Sequence, residues 1–317
     1  MPNYQGVWSL STQMQNRTGW PTFGPSGDTG YFAGYGNAGT YYADIDWIGL
    51  TTAGNAYDFG DLTQARGSLA ACSSSTRGVF IGGEISGATV NTMDYITLAS
   101  MGDAVDFGDV RKVIQGCSAM GSSTRGVINT SVPSSSSNKD IDYISIASTG
   151  NSTLFGELST HRNFTATFSS TTRGCFSGGD TFTDGRSNVI DYVTISSTGN
   201  ASDFGDLTTT TRLCTGFSNS TRGITAGGDV SGNTITYVTI SSTGNATDFG
   251  DLLSARDTGA GCASSTRGFY AGGIGTGDDN VIQFITIAST GNSTDYGDLT
   301  RDRFAFAGIS NGHGGIA

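Results

Sequence analysis

Two short marks recur along this chain with one common step, and no other feature limits the fold as strongly. Thr-Arg-Gly places its arginine at Arg77, Arg125, Arg173, Arg222 and Arg267, with spacings of 48, 48, 49 and 45 residues. An aromatic-Gly pair, in the pattern D-F-G-D-L, places its glycine at Gly60, Gly108, Gly156, Gly205, Gly250 and Gly297, with spacings of 48, 48, 49, 45 and 47. Two independent marks in step define an internal repeat. A repeat of this size is one supersecondary unit that buries its faces only against its neighbours.

One unit, from Arg66 to Gly108, reads as four short strands: GSLAACS, TRGVFIGGE, NTMDYITLAS and AVDFGDV. Turn residues separate them, and no segment sustains a helical period, so the expectation is all-β with almost no helix. The third strand is apolar on both faces, as in Ile45, Trp47, Ile48 and Leu50. A sheet covered on both sides has that pattern, whereas a one-sided sheet alternates strictly. Four strands in about 48 residues, covered on both faces, predict the blade of a β-propeller. Two aromatic columns are expected to hold the blades together. The third strand supplies Trp47, Tyr95, Tyr143, Tyr192, Tyr237 and Phe284. The fourth supplies Phe59, Phe107, Phe155, Phe204, Phe249 and Tyr296.

Strand counting favours seven blades, with six as the alternative. First strands are expected near 20–26, 67–73, 113–121, 163–169, 211–218, 257–264 and 304–310. The chain then reads as a single propeller domain over 1–317. It comprises six repeats plus a split blade built from 1–19 and 304–317, with Gly6 to Ser11 supplying its third strand and HGGIA its second. Pairing the two termini in one blade would remove free sheet edges.

The sequence R-G-x-F-x-G-G, then D-Y-I-T-I-A-S-T-G-N-A-T-D-F-G-D-L, then Arg resembles the kelch-type propeller repeat. The Gly pair at 82–83, 178–179, 227–228 and 272–273 matches, as does the arginine after the fourth strand. The outer strand departs, carrying Phe or Tyr where kelch repeats carry Trp. The wording S-T-R-G-x-F-x-G-G with I-A-S-T-G-N, and the opening from Tyr4 to Gln15, are similar to kelch-like virion proteins of marine bacteriophages. That resemblance spans nearly the whole chain. It implies a structural or host-contact protein of tails, fibres or particle surfaces, and carries over no catalytic residue.

Most groups with chemical potential belong to the repeat. The Thr-Arg-Gly arginines and a second set after the fourth strand (Arg66, Arg111, Arg162, Arg212, Arg256 and Arg303) are repeat positions. So are the acids from Asp58 to Asp295 and from Asp61 to Asp298. They predict a lattice of arginine–carboxylate and arginine–carbonyl contacts rather than a ligand site. Cys72, Cys117 and Cys262 each follow a repeat arginine by six residues, and Cys175 and Cys214 fall within strands. Without a C-x-x-C pair, these five are expected as core thiols. His161 and His313 are too few and too far apart for a copper or zinc centre, and no catalytic motif or calcium loop is complete. No metal, cofactor or enzymatic activity is therefore expected.

The net charge of −11 gives no basic footprint for nucleic acid. No apolar run is long enough to cross a membrane, and the N-terminal residues lack a signal-peptide pattern. A virion location, after synthesis in a host cytoplasm, is the expectation. The expected partners are other virion proteins, further copies of this chain, and a host surface glycan or receptor.

Loops between strands one and two, and three and four, are almost the same in every copy. Loops between strands two and three differ in every copy, from GNAGTYY (36–42) to IGTGDDN (274–280). Variable loops on a constant scaffold commonly carry recognition. The candidate contacts there are Tyr41, Tyr42, Glu84, Asp184, Arg186, Asp278 and Asp279. The leading expectation is a non-enzymatic phage virion protein, tail- or fibre-associated, that contacts host glycan or protein. The alternatives are a capsid decoration or connector protein and, less favoured by the residues, a glycan-active enzyme.

Overall fold

The β-branched and aromatic runs of each repeat form an antiparallel four-stranded sheet, and six such sheets form a β-propeller. The structure is a computed structural model that describes residues 24–34, 40–131, 138–181, 185–230, 232–275 and 279–316. Blade II shows the plan: Ala70–Ser73, Arg77–Ile81, Thr92–Thr97 and Val105–Asp109, from the axis outward. Blades III to VI begin with the inner strands Ser118–Gly121, Ala166–Ser169, Thr215–Ser218 and Ala260–Ala263.

Blade I corrects the count of seven. Its inner strand is Ala307–Ser310, which pairs antiparallel with Thr29–Ala33, so that Tyr31 faces Ile309. Asp44–Gly49 and Tyr57–Asp61 complete the sheet. The segment expected to open a seventh blade thus completes the first. The described part of 20–26 forms no strand, and the described part of the HGGIA segment, 313–316, makes a bend and turns. The segment 6–11, expected as a closing strand, lies outside the described residues.

A ring of backbone hydrogen bonds shows why six blades are complete. The residue entering each inner strand donates its N–H to its counterpart one blade back: Ser68 to Ala305, Gly116 to Ser68, Phe164 to Gly116, Leu213 to Phe164, Thr258 to Leu213 and Ala305 to Thr258, at 2.7–3.3 Å. These six bonds close on themselves and leave no gap for another blade. Each of the six residues has a left-handed backbone, with φ between 50° and 61°, which carries its peptide across to the neighbour.

The core lies between blades. Each of six buried clusters draws on two neighbouring sheets; one joins Phe107 of blade II to Ile128, Ile144 and Ile146 of blade III. The fourth-strand aromatics are buried at these seams, as the sequence implied. The third-strand tyrosines are half-buried and pack edge-on against them, with ring centroids 6.1 Å apart for Tyr95 and Phe107. All five cysteines are buried and free, and burial pushes Cys72, Cys117 and Cys214 up to about 12.

The uniform loops are used in the seams. Arg77, Arg125, Arg173, Arg222 and Arg267 lie 4.3–4.9 Å over Tyr95, Tyr143, Tyr192, Tyr237 and Phe284. Each then donates to a carbonyl of the next blade, as Arg125 does to Ile195 at 2.8 Å. Blade I has Thr29 at this position. There the Tyr31 hydroxyl donates to the Leu98 carbonyl, which completes the sixth junction. Further out, the Asn of each S-T-G-N turn accepts the N–H of the acid after the preceding blade's Gly, as Asn245 does from Asp206 at 3.0 Å. Gly60 shows what this clasp requires: its φ is 149°, and a Cβ there would come within 2.5 Å of the Gly102 carbonyl.

Candidate functional site: the variable end of the propeller

The loops joining strands two and three share one end of the ring with the segments that lead into each inner strand. Short pairings tie the two together: Gly67 with Glu84, Asn163 with Asp180, and Arg256–Asp257 with Ile274–Gly275. Antiparallel strand order puts the repeat-specific loops at this end and the uniform turns at the other.

Buried arginines form the floor of this end. Arg66, Arg162 and Arg303 are completely buried and Arg256 nearly so. Arg66 donates to the carbonyls of Gly82 and Thr92 at 2.6 and 2.7 Å, and to Asp94 at 2.7 Å. Arg162 repeats this with Gly178, Val189 and Asp191, and Arg303 pairs with Asp46 at 2.7 Å. Burial pushes these three guanidiniums below their ordinary value, and the neighbouring carboxylate pulls each back. The partner acids are Asp46, Asp94 and Asp191, next to the third-strand aromatic. They do not belong to the two acid columns in which the sequence reading sought partners.

Arg111 and Arg212 do not occupy this arginine column. Counting from the fourth-strand aromatic, Arg66 is seven residues after Phe59, Arg111 four after Phe107, and Arg212 eight after Phe204. Ile114 and Thr211 stand at the column instead. Arg111 reaches Asp142 from the surface with bonds of 2.6–3.0 Å, and Cys117 accordingly falls outside the position shared by Cys72 and Cys262. In blade IV the outer strand Ser202–Thr211 runs on through the column. It pairs with Gly185–Thr194, and both strands are ten residues long, which raises a ribbon at this end.

Three groups of candidate contact residues stand above the floor. The Tyr41 hydroxyl donates to Glu84 Oε1 at 2.9 Å, joining blades I and II. Tyr42 lies 4.2 Å under the Arg301 guanidinium, which also pairs with Asp44 at 2.7 Å. Between blades IV and V, Arg186 and Arg212 both reach Asp229 through Nε at 2.9 Å, and Arg212 also bonds Asp180 at 2.6 Å. Nearby Asp257 is raised, first by burial and then by the charge of Asp229. Asp279 lies 3.6 Å from Arg256. Asp184 and Asp278 lie outside the described residues.

The candidates therefore form separate groups around the rim. Sequence reading missed Arg301, Asp44 and Arg212 as members of this surface, and it placed Asp180 and Asp229 in its loops without naming them as contacts. The one-residue displacement of Arg212 from its column was a readable signal for that residue.

Among the described residues, no group of three or more His, Cys, Asp or Glu side chains is placed to hold a metal ion. No helix among them is long and apolar enough to cross a membrane. Comparison with protein-family models gives no match, and comparison with curated proteins finds no relative.

Proposed function

We propose that this chain is a non-catalytic, kelch-like structural protein of a bacteriophage particle that contacts a host surface glycan or protein through its variable end. The difference between the two ends carries this reading. At the uniform end, an Arg in five blades, Tyr31 in blade I, and an Asn or Asp in each outer turn are committed to blade junctions. At the variable end, tyrosines, carboxylates and guanidiniums unique to single blades stand on a floor braced by buried arginines. Functional residues commonly sit on loops that a rigid scaffold positions. The resemblance of the repeat to marine phage virion proteins supplies the particle context.

The test combines location with loop dependence. A gold-labelled antibody against this chain should decorate the tail end or fibre tips of purified particles. Replacing residues 84–90 and 180–188 with the short DVSGN loop should then abolish adsorption to host cells while leaving particle assembly intact. Gold over the head would favour a decoration role, and unlabelled particles would end the virion reading.

A further inference from the structure

We infer that the C-terminal segment 311–316 is a plug for the axial channel, held by neutral His313 and released by acid. The inner strands enclose a channel of about 170 Å³ whose lining includes His313. Beyond the inner strand of blade I, the chain turns across the channel end and meets the other blades in turn. His313 Nε2 lies 2.9 Å from the Ser73 carbonyl of blade II. Gly314 donates to the Ser218 carbonyl of blade V at 3.0 Å. A Cβ on Gly315 would collide with the Gly121 carbonyl of blade III, and one on Gly314 with the carbonyls of Asn219 and Ser169. The two glycines thus let the segment lie flat against carbonyl groups.

Both imidazole nitrogens take part. Facing a carbonyl, Nε2 must carry the proton, so Nδ1 is an acceptor, and it receives the Gly315 N–H at 3.1 Å. A second proton on Nδ1 would turn that bond into two opposed donors. Among the described residues, the ring's only hydrogen-bond partners are the Ser73 carbonyl and the Gly315 N–H, and neither is a carboxylate. The inner strands contribute no Asp, Glu, Lys or Arg, and their titratable groups are the protonated thiols of Cys72 and Cys262, with Cys117 and Cys214 at the strand entries. The Thr-Arg-Gly arginines at this end add positive charge and lie over the third-strand rings. Asp28, just ahead of the Thr29–Ala33 strand, is the carboxylate near the plug, 3.6 Å from where a Cβ on Gly312 would sit. Consistent with this, burial holds the ring well below its ordinary value of 6.5, at about 4.

The direction follows from linkage. The released segment titrates near 6.5 and the seated one near 4, so the seated form is fully favoured above 6.5. Between these values the seated-to-released ratio falls about tenfold per pH unit, and below 4 it levels off. Hydrogen exchange of the full chain, corrected for intrinsic rates, is the test. Protection of Gly314, Gly315 and Ile316 should fall about tenfold per unit from pH 6.5 to 4, while the inner strands stay protected. His313→Gln should remove that slope. NMR titration of His313 in the unaltered chain gives a second readout that needs no variant. A pKa near 6.5, or an equal slope in the variant, would overturn the proposal.

Discussion

Blades II and V answer the same structural problem in opposite ways. In blade II the segment leading into the inner strand carries Arg66 at zero exposure, and the third strand carries Asp94 opposite it, equally buried. In blade V the same two positions hold Thr211 and Thr236, and a small cleft lined by those threonines stands where the guanidinium would lie. Arginine and acid have changed together. A buried guanidinium without its carboxylate, or the reverse, leaves an uncompensated charge, which costs more than losing both. Blade III is intermediate: Ile114 fills the arginine slot, and Asp142 is served from outside by Arg111 and from within by Ser152 at 2.6 Å. Blade VI keeps Arg256 but has Gln283, whose Oε1 accepts from Leu253 and Ser293. The floor of the variable end is thus a set of local solutions to one packing requirement. Where the solution omits the buried arginine, in blades III and V, an arginine appears at the surface instead.

The sharpest way to break this comparison is Asp94→Ala. It strands the Arg66 charge, and the expected loss is about 3–5 kcal/mol by urea unfolding. A loss below 1 kcal/mol would mean that carbonyl bonds alone satisfy the guanidinium. Next comes transplantation of the blade II solution into blade V. Thr211→Arg and Thr236→Asp should each destabilise alone, yet a double-mutant cycle should return a favourable coupling of about 1–3 kcal/mol. Zero coupling would show that the ribbon of blade IV has closed the slot. The other end offers a parallel contrast, because blade I uses Tyr31 where its neighbours use arginine. Tyr31→Phe leaves the buried Leu98 carbonyl without its donor and should cost about 1–2 kcal/mol. The smallest effect is expected at the exposed clasp: Asn245→Ala should lower stability by about 0.5–1 kcal/mol. A larger loss there would make the outer seam, rather than the arginine floor, the principal tie between blades.

Much of this was legible in the chain itself. Strands, turns and the propeller class follow from local patterns: β-branched runs, glycine pairs and an aromatic every repeat. Burial of Phe107 follows from its place in the fourth-strand aromatic column, and burial of the cysteines from their strand positions without a C-x-x-C pair. The acid partners of the arginines were harder to read, because Arg66 and Asp94 are 28 residues apart and meet only when a blade has folded. Counting residues from the fourth-strand aromatic would have separated Arg111 and Arg212 from their supposed column. Tyr41 and Glu84 were both legible as loop residues, but their hydrogen bond crosses two blades, and no pattern within either loop encodes it.

The sequence by itself determined the repeat, the four-strand unit and the division into uniform and variable ends, because these rest on interactions between near neighbours in the chain. The number of blades was decided by tertiary structure alone. Pairing Thr29–Ala33 with Ala307–Ser310 joins residues almost a whole chain apart. No residue pattern within one repeat states how many blades there are; the count appears only in the ring of six backbone hydrogen bonds that closes on itself.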